Sequence, residues 1–188
     1  MSRLSDLGRF YVLLDRLKEC LGGPRTLATV GSFRDWPTRG VYFFFEPSEF
    51  RQESGNGPRV VRVGTHALTA GSRSTLRQRL IQHRGQASGR GNHRGSIFRL
   101  LVGQALLARG GLPHCSSWGV KGDISQASIA LNASRDILAA DEAPVERDVS
   151  NFIGRMPFLW LDVGDEPGPN SFRAVIERNA IALLSNYQ

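Results

Sequence analysis

Apolar residues recur at Phe10, Leu13, Leu14 and Leu17 in RFYVLLDRLKECL, the i, i+3, i+4, i+7 spacing of an amphipathic helix. The pair Gly22-Gly23 stops it, so residues 1–38 read as a helical extension. RDWPTRG is loop-like and leads into VYFFFE, an almost wholly apolar run of strand-forming residues. A polar stretch, SEFRQESGNGP, separates it from a second strand, RVVRVG. The two predict a hairpin whose connection, about a dozen residues, exceeds the usual length.

The loop THALTAGSRS offers Ser72 or Ser74 as N-cap for a helix in LRQRLIQHRG, residues 76–85. ASGRGNHRG is Gly-rich and basic, IFRLLVGQALLAR has helical character, and residues 110–126 are irregular. ASIALNASRDILAA fits either a strand followed by a short helix or one helix, and EAPVERDVSNFIGRM has a helical period. FLWLDV reads as a third strand buried on both faces. After the turn DEPGPN, SFRAVIERNAIALLSN is a final helix capped by Asn170 or Ser171. The chain ends just after it, which leaves a longer native protein open. No internal repeat is present.

At 188 residues the chain can bury a sizeable core as one domain with an elaboration. No run of 18 apolar residues occurs, so no membrane span is expected. The N-terminus carries acids and lacks a small-residue cleavage site, which argues against a secretory signal. Cys20 and Cys115, far apart, suit a reducing cytoplasm better than a disulfide framework.

Charge is informative by position. Between Glu53 and Asp123 lie 69 residues with no acid, ten arginines and one lysine, a segment of +11 in a chain whose remainder is −4. That asymmetry is the footprint of a polyanion binder. A GC-rich genome explains arginine over lysine, but not the missing acids. Within the segment, Arg79 and His83 lie roughly 40° apart on the wheel, on the flank of Leu76 and Leu80. Cationic or titratable groups at the rim of a buried stripe need a negative partner, and none is nearby in sequence.

The order of elements is hairpin, Arg helix, long basic segment, strand, Glu helix. With Gly40-Val41-Tyr42 on the first strand, Arg62-Val63-Gly64 ending the second, Arg79 and His83 in the helix and Glu177 in the last helix, the chain resembles the GIY-YIG nuclease family. The resemblance covers roughly residues 38–86 and 156–187. It implies an α/β fold, a small three-stranded antiparallel sheet flanked by helices. The N-terminal helical extension would then span 1–38, and the nuclease domain 39–188 would contain a mostly helical insertion at about 87–155. The second triplet usually starts with tyrosine; here it starts with Arg62, which is expected on the strand face opposite Val61 and Val63. That arginine would either contact phosphate or mark a lapsed site.

The resemblance assigns Tyr42 to orienting or deprotonating the attacking water, which requires nearby cations to lower its pKa. A core aromatic with a satisfied hydroxyl is the competing reading. Arg79, otherwise a surface cation, would hold a scissile phosphate through its planar fork, and the phosphodiester would be the missing negative partner. His83 would hydrogen-bond the same phosphate or assist proton transfer, unless it is a satisfied, partly buried histidine. Glu177 would be the carboxylate ligand of Mg²⁺ or Mn²⁺, or a surface partner of Arg173. Substrate contacts are expected from His66, Arg77, Arg84, Arg90, Arg94 and Asn186. His66 would equally fit a loop histidine without a role, and Arg90 and Arg94 belong to a loop that is otherwise flexible and solvated. The implied activity is metal-dependent endonucleolytic hydrolysis of DNA in the cytoplasm, with no membrane partner and no small-molecule cofactor. The alternative is a nucleic-acid-binding module of the same fold without turnover. The sequence sets no oligomeric state.

Overall fold

The computed structural model describes residues 2–29 and 36–185. The chain divides into two compact units, residues 1–79 with 156–188, and residues 80–155.

The first unit is built on a three-stranded antiparallel sheet: β1 (Gly40–Phe50), β2 (Pro58–Gly64) and β3 (Phe158–Asp162), in the order β2-β1-β3. β1 is therefore the central strand, and its first residues, Gly40 to Phe44, are buried in succession. β3 was expected to be buried on both faces. It is an edge strand instead, and only Phe158 and Leu159 are buried in it. The hairpin connection is residues 51–57, shorter than the sequence suggests, because pairing continues through an irregularity to Phe50↔Pro58. A bulge at Val61 interrupts β2, since Phe44 faces Arg62 and Phe45 faces Val60. The extra residue lets Val60 and Val63 both enter the core while Val61 stays exposed.

Alternation then gives the sheet two different faces. One face, with Val41, Phe43, Val60, Val63 and Leu159, packs against Tyr11 and Leu14 of α1 (Arg3–Cys20) and Ala180 of α6 (Phe172–Leu184). Each fully buried aliphatic side chain there is worth about 1.5–3 kcal/mol. The Tyr11 hydroxyl accepts a hydrogen bond from the Val60 N–H at 3.2 Å, tying the N-terminal helix to the bulge. The other face carries Tyr42, Phe44 and Phe158. There Trp160 stacks on Trp36, centroids 4.8 Å apart, and Phe44 on Phe158 at 5.0 Å. Ser171 caps α6 through the Ala174 N–H.

Helix α2 (Leu76–Arg84) starts from Thr75, not from Ser72 or Ser74. Thr75 Oγ1 accepts from the Gln78 N–H at 3.2 Å, and Gln78 Oε1 accepts from the Thr75 N–H at 2.9 Å. That reciprocal pair is a capping box, with glutamine at its third position. Leu76 and Leu80 are fully buried, as the wheel predicts.

The second unit is helical: the end of α2, a 3-10 turn His93–Gly95, α3 (Ile97–Arg109), α4 (Ile124–Leu131) and α5 (Arg135–Arg155). The stretch 127–140 is neither a strand nor one helix. Asp123 and Gln126 form a capping box that starts α4, and Asn132, at φ 48°, stops it in the left-handed region. Ser134 then opens α5, which continues through Pro144 because Leu138, Val145, Val149 and Ile153 fix its inner face. No described helix is long and apolar enough to cross a membrane.

Candidate active site

Tyr42 leaves the central strand on the face opposite the helical core, and its cross-strand partners are Gly64 and Trp160. Its ring lies over Gly64. A Cβ at that position would stand 2.2 Å from the Tyr42 hydroxyl, so glycine is required there by contact and not by backbone angle. Two residues back on β2, Arg62 sits on the same face, opposite Phe44. Arg79 arrives from the first turns of α2. Both guanidinium groups come within hydrogen-bonding reach of the Tyr42 hydroxyl. Arg62 and Arg79 are each half-buried, whereas Tyr42 is wholly buried.

Burial dominates the acidity of that phenol. It raises the Tyr42 pKa above its ordinary value of 10, against the opposing pull of Arg62 and then Arg79. The sequence reading anticipated a pKa lowered by cations. The cations are present, but a phenolate without water loses more solvation than they return. Tyr42 is therefore a protonated phenol at neutral pH.

Just past Gly64, the Thr65 hydroxyl donates to the Gly40 carbonyl at 2.8 Å and closes the strand ends. The Thr65 N–H donates to Glu177 Oε1 at 3.1 Å. Glu177 makes no ion pair among the described residues, although Arg173 lies one turn before it. Arg173 is fully buried and turns to Asp165, with Nη1 donating 2.6 Å to the His66 carbonyl. Burial pushes the Asp165 carboxyl up, but the Arg173 hydrogen bonds prevail and hold it below the usual carboxylate range.

His66 is 6% exposed, and its ring nitrogens make no hydrogen bond of good geometry, with only the Thr38 backbone within reach among the described residues. Its pKa is lowered to about 4, first by burial and then by the Arg173 charge. A hydrogen bond with the Thr38 backbone opposes this, and Arg39 and then Arg79 add smaller contributions to it. Thus Tyr42, Arg62, His66, Arg79 and Glu177 are grouped around the ends of β1 and β2.

The family model described as a GIY-YIG domain matches residues 1–188, the whole chain. The chain belongs to the GIY-YIG family. No curated protein and no solved structure matches it. The family is one of nucleases, so DNA cleavage is the family-level activity. In this GIY-YIG domain the first triplet places Tyr42 and the second ends at the glycine beneath it. The usual second tyrosine is Arg62, whose guanidinium approaches the hydroxyl of the first.

GIY-YIG nucleases generally use divalent metals. No group of three or more metal-ligating side chains occurs among the described residues. Among the described residues of this cluster, Glu177 offers a carboxylate that makes no ion pair, with Oε1 oriented by the Thr65 amide. That suits Mg²⁺, which keeps most of its shell as water and substrate oxygen and takes one or two carboxylates from protein.

The remaining expected residues lie in other surroundings. His83 is fully buried in the second unit, with Nδ1 2.8 Å from Ser96 Oγ and its ring edge-on to Phe98. It has the environment of a satisfied core histidine. Arg94 is not a free loop cation. Both its terminal nitrogens donate to Glu142 at 2.7 Å, and that hydrogen bonding raises its pKa. The loop it belongs to is no flexible tether either, since it wraps a buried pair, Arg99 with Glu146. A Cβ on Gly91 would meet Arg99 Nη2 at 1.8 Å. Arg77 and Arg90 are exposed, Arg84 is half-buried near the Gly85 carbonyl, and Asn186 lies outside the described residues.

Sequence reasoning missed Thr65, Asp165 and the Arg99–Glu146 pair. The last had a signal: Arg99, set among apolar residues in the first turn of IFRLLVGQALLAR, demands a carboxylate once buried. The acid-free segment thus draws partners for Arg94 and Arg99 from α5.

Proposed function

We propose that this GIY-YIG chain is a metal-dependent endonuclease that hydrolyses phosphodiester bonds in DNA. The observation that carries the reading is the approach of Arg62 and Arg79 to Tyr42 above Gly64, with Glu177 anchored on the next residue's amide. Two planar guanidinium groups suit the non-bridging oxygens of a phosphodiester, where negative charge grows in the transition state. Tyr42, neutral and fixed by the sheet, keeps the two cations apart and aimed. Its role is positioning and hydrogen bonding, not proton removal. Glu177 would hold Mg²⁺ or Mn²⁺, which when bound supplies positive charge to the phosphate and the leaving oxygen. Arg77 adds exposed positive charge for the flanking backbone.

The test is incubation with supercoiled plasmid with and without Mg²⁺ or Mn²⁺, beside Arg79→Ala. Nicking that needs metal and falls at least about a hundredfold in Arg79→Ala is expected. Metal-independent nicking, or undiminished nicking by the variant, contradicts the reading.

The complete burial of Tyr42 favours a second reading, a nucleic-acid-binding module without turnover. It predicts binding whose log K falls linearly with log salt, and no nicked product with either metal.

A further inference from the structure

Two demands on strand β2 cannot both be met by regular alternation. Val60 stands opposite Phe45, buried in the apolar core, whereas Arg62 stands opposite Phe44 on the face that carries Tyr42. A slip of one residue sends every side chain of a strand to the other face. Continued without interruption from Val60↔Phe45, the ladder would set Arg62 opposite Phe43 and Val63 opposite Tyr42. The first would push a guanidinium into a cluster of Val41, Phe43 and Leu159. The second would put a branched side chain where even a Cβ stands 2.2 Å from the Tyr42 hydroxyl. The bulge at Val61 resolves the conflict. Val61 is 41% exposed, and beyond it Arg62 and Gly64 turn to the site.

The bulge has an anchor outside the sheet. The Val60 N–H donates to the Tyr11 hydroxyl of α1 at 3.2 Å. Tyr11 is buried on the helical-core side, edge-on to Phe10 at 5.5 Å and with the Arg51 guanidinium 4.2 Å from its ring centroid. Arg51 in turn donates to the Ser54 and Asn56 carbonyls of the hairpin connection. The ring is thus fixed by packing that does not need the hydroxyl. Moving the bulge by one residue would reverse the direction of the Val60 N–H and break its bond to Tyr11.

We infer that Tyr11 is a positioning residue of the active site: its hydroxyl holds the bulge at Val61 and so presents Arg62 to the phosphate. This rests on the nuclease reading above, in which Arg62 grips a non-bridging oxygen. Tyr11 acts through Arg62, two residues beyond the bond, and from the opposite side of the sheet. The N-terminal helix then serves the chemistry as well as the core. One hydrogen bond of ordinary net strength biases the choice of register by up to about tenfold.

The experiment compares the saturating rate of plasmid nicking in Mg²⁺ for wild type, Tyr11→Phe, Arg62→Ala and the double variant. Phenylalanine keeps the ring and its contacts with Phe10 and Arg51, so only the hydroxyl is lost. Tyr11→Phe is expected to lower the rate about tenfold, and Arg62→Ala by at least as much. In the Arg62→Ala background, Tyr11→Phe is expected to change the rate by less than about twofold, because no guanidinium is left to aim. A general loss of stability would slow both backgrounds equally. Amide hydrogen exchange on the same samples gives a second measurement. In Tyr11→Phe it is expected to quicken about tenfold at Val60, Val61 and Arg62 while Val41 and Phe43 keep the wild-type rate.

Full activity of Tyr11→Phe, an equal loss in both backgrounds, wild-type nicking by Arg62→Ala, or exchange that quickens throughout the sheet overturns this inference alone. If wild type nicks under no condition, the nuclease reading fails and takes the inference with it.

Discussion

The Tyr42 hydroxyl lies over Gly64, its partner across β1 and β2, where a Cβ would stand 2.2 Å away. A side chain there has to displace the ring, and with it the group that Arg62 and Arg79 approach. Gly64→Ala is therefore expected to cost about 1–3 kcal/mol of stability through overpacking. It should also lower nicking far more than the stability loss alone would. Denaturant unfolding and plasmid nicking measured on the same preparation check this. A stable variant with full activity would show that the Tyr42 position is not critical.

Asp165 and Arg173 form the second anchor of the site, with Arg173 fully buried. Removing the acid leaves a buried guanidinium uncompensated, so Asp165→Ala is expected to cost about 3–5 kcal/mol. The Asp165 carboxyl is held below its ordinary value. Its contribution is therefore present above the unfolded pKa and lost as pH falls through the folded one. Thermal unfolding should show the gap between wild type and Asp165→Ala closing in strong acid.

His66 gives a separate acid sensitivity. Its folded pKa is about 4 against 6.5, so below pH 6.5 the unfolded chain takes up a proton that the folded one refuses. Stability is then full above pH 6.5, declines as pH falls and levels off below about 4. Between pH 7 and pH 5 the decline is about 2 kcal/mol. Urea unfolding of wild type and His66→Gln at the two pH values tests this, the variant being expected to lose most of the slope.

In the second unit, Arg90 and Arg94 are four residues apart but have opposite fates. Arg94→Ala leaves Glu142 buried without its cation, and about 3 kcal/mol of destabilisation is expected. Arg90→Ala should leave stability within about 0.5 kcal/mol. It should reduce the salt slope of DNA binding by about one. Thermal melts and a salt titration of binding separate the two.

Much of this fold was legible because its elements carry strong local patterns. The heptad-like spacing in α1, the apolar VYFFFE and the long Glu177 helix each announce themselves. Strand β1 could not be recognised as the central one, since order in a sheet depends on pairing partners outside the local window. The cap at Thr75 was missed because Ser72 and Ser74 have the same chemistry, and only the reciprocal bond to Gln78 selects among them. At the candidate site, Tyr42, Arg79 and Glu177 could be named from motif and wheel position. The protonation of Tyr42 could not, because it depends on how completely neighbouring elements exclude water. Arg94 misled for a related reason: its partner Glu142 is far along the chain, so a locally unopposed charge is neutralised in the folded unit.

The most direct measurement is the rate of Mg²⁺-dependent nicking of supercoiled plasmid by Glu177→Gln beside wild type. The glutamine oxygen still accepts the Thr65 N–H, so the fold and the strand ends are kept while the charge is removed. The account predicts that wild type nicks, and that the variant loses at least about a hundredfold while remaining folded and bound to DNA. A variant that nicks at the wild-type rate would contradict it.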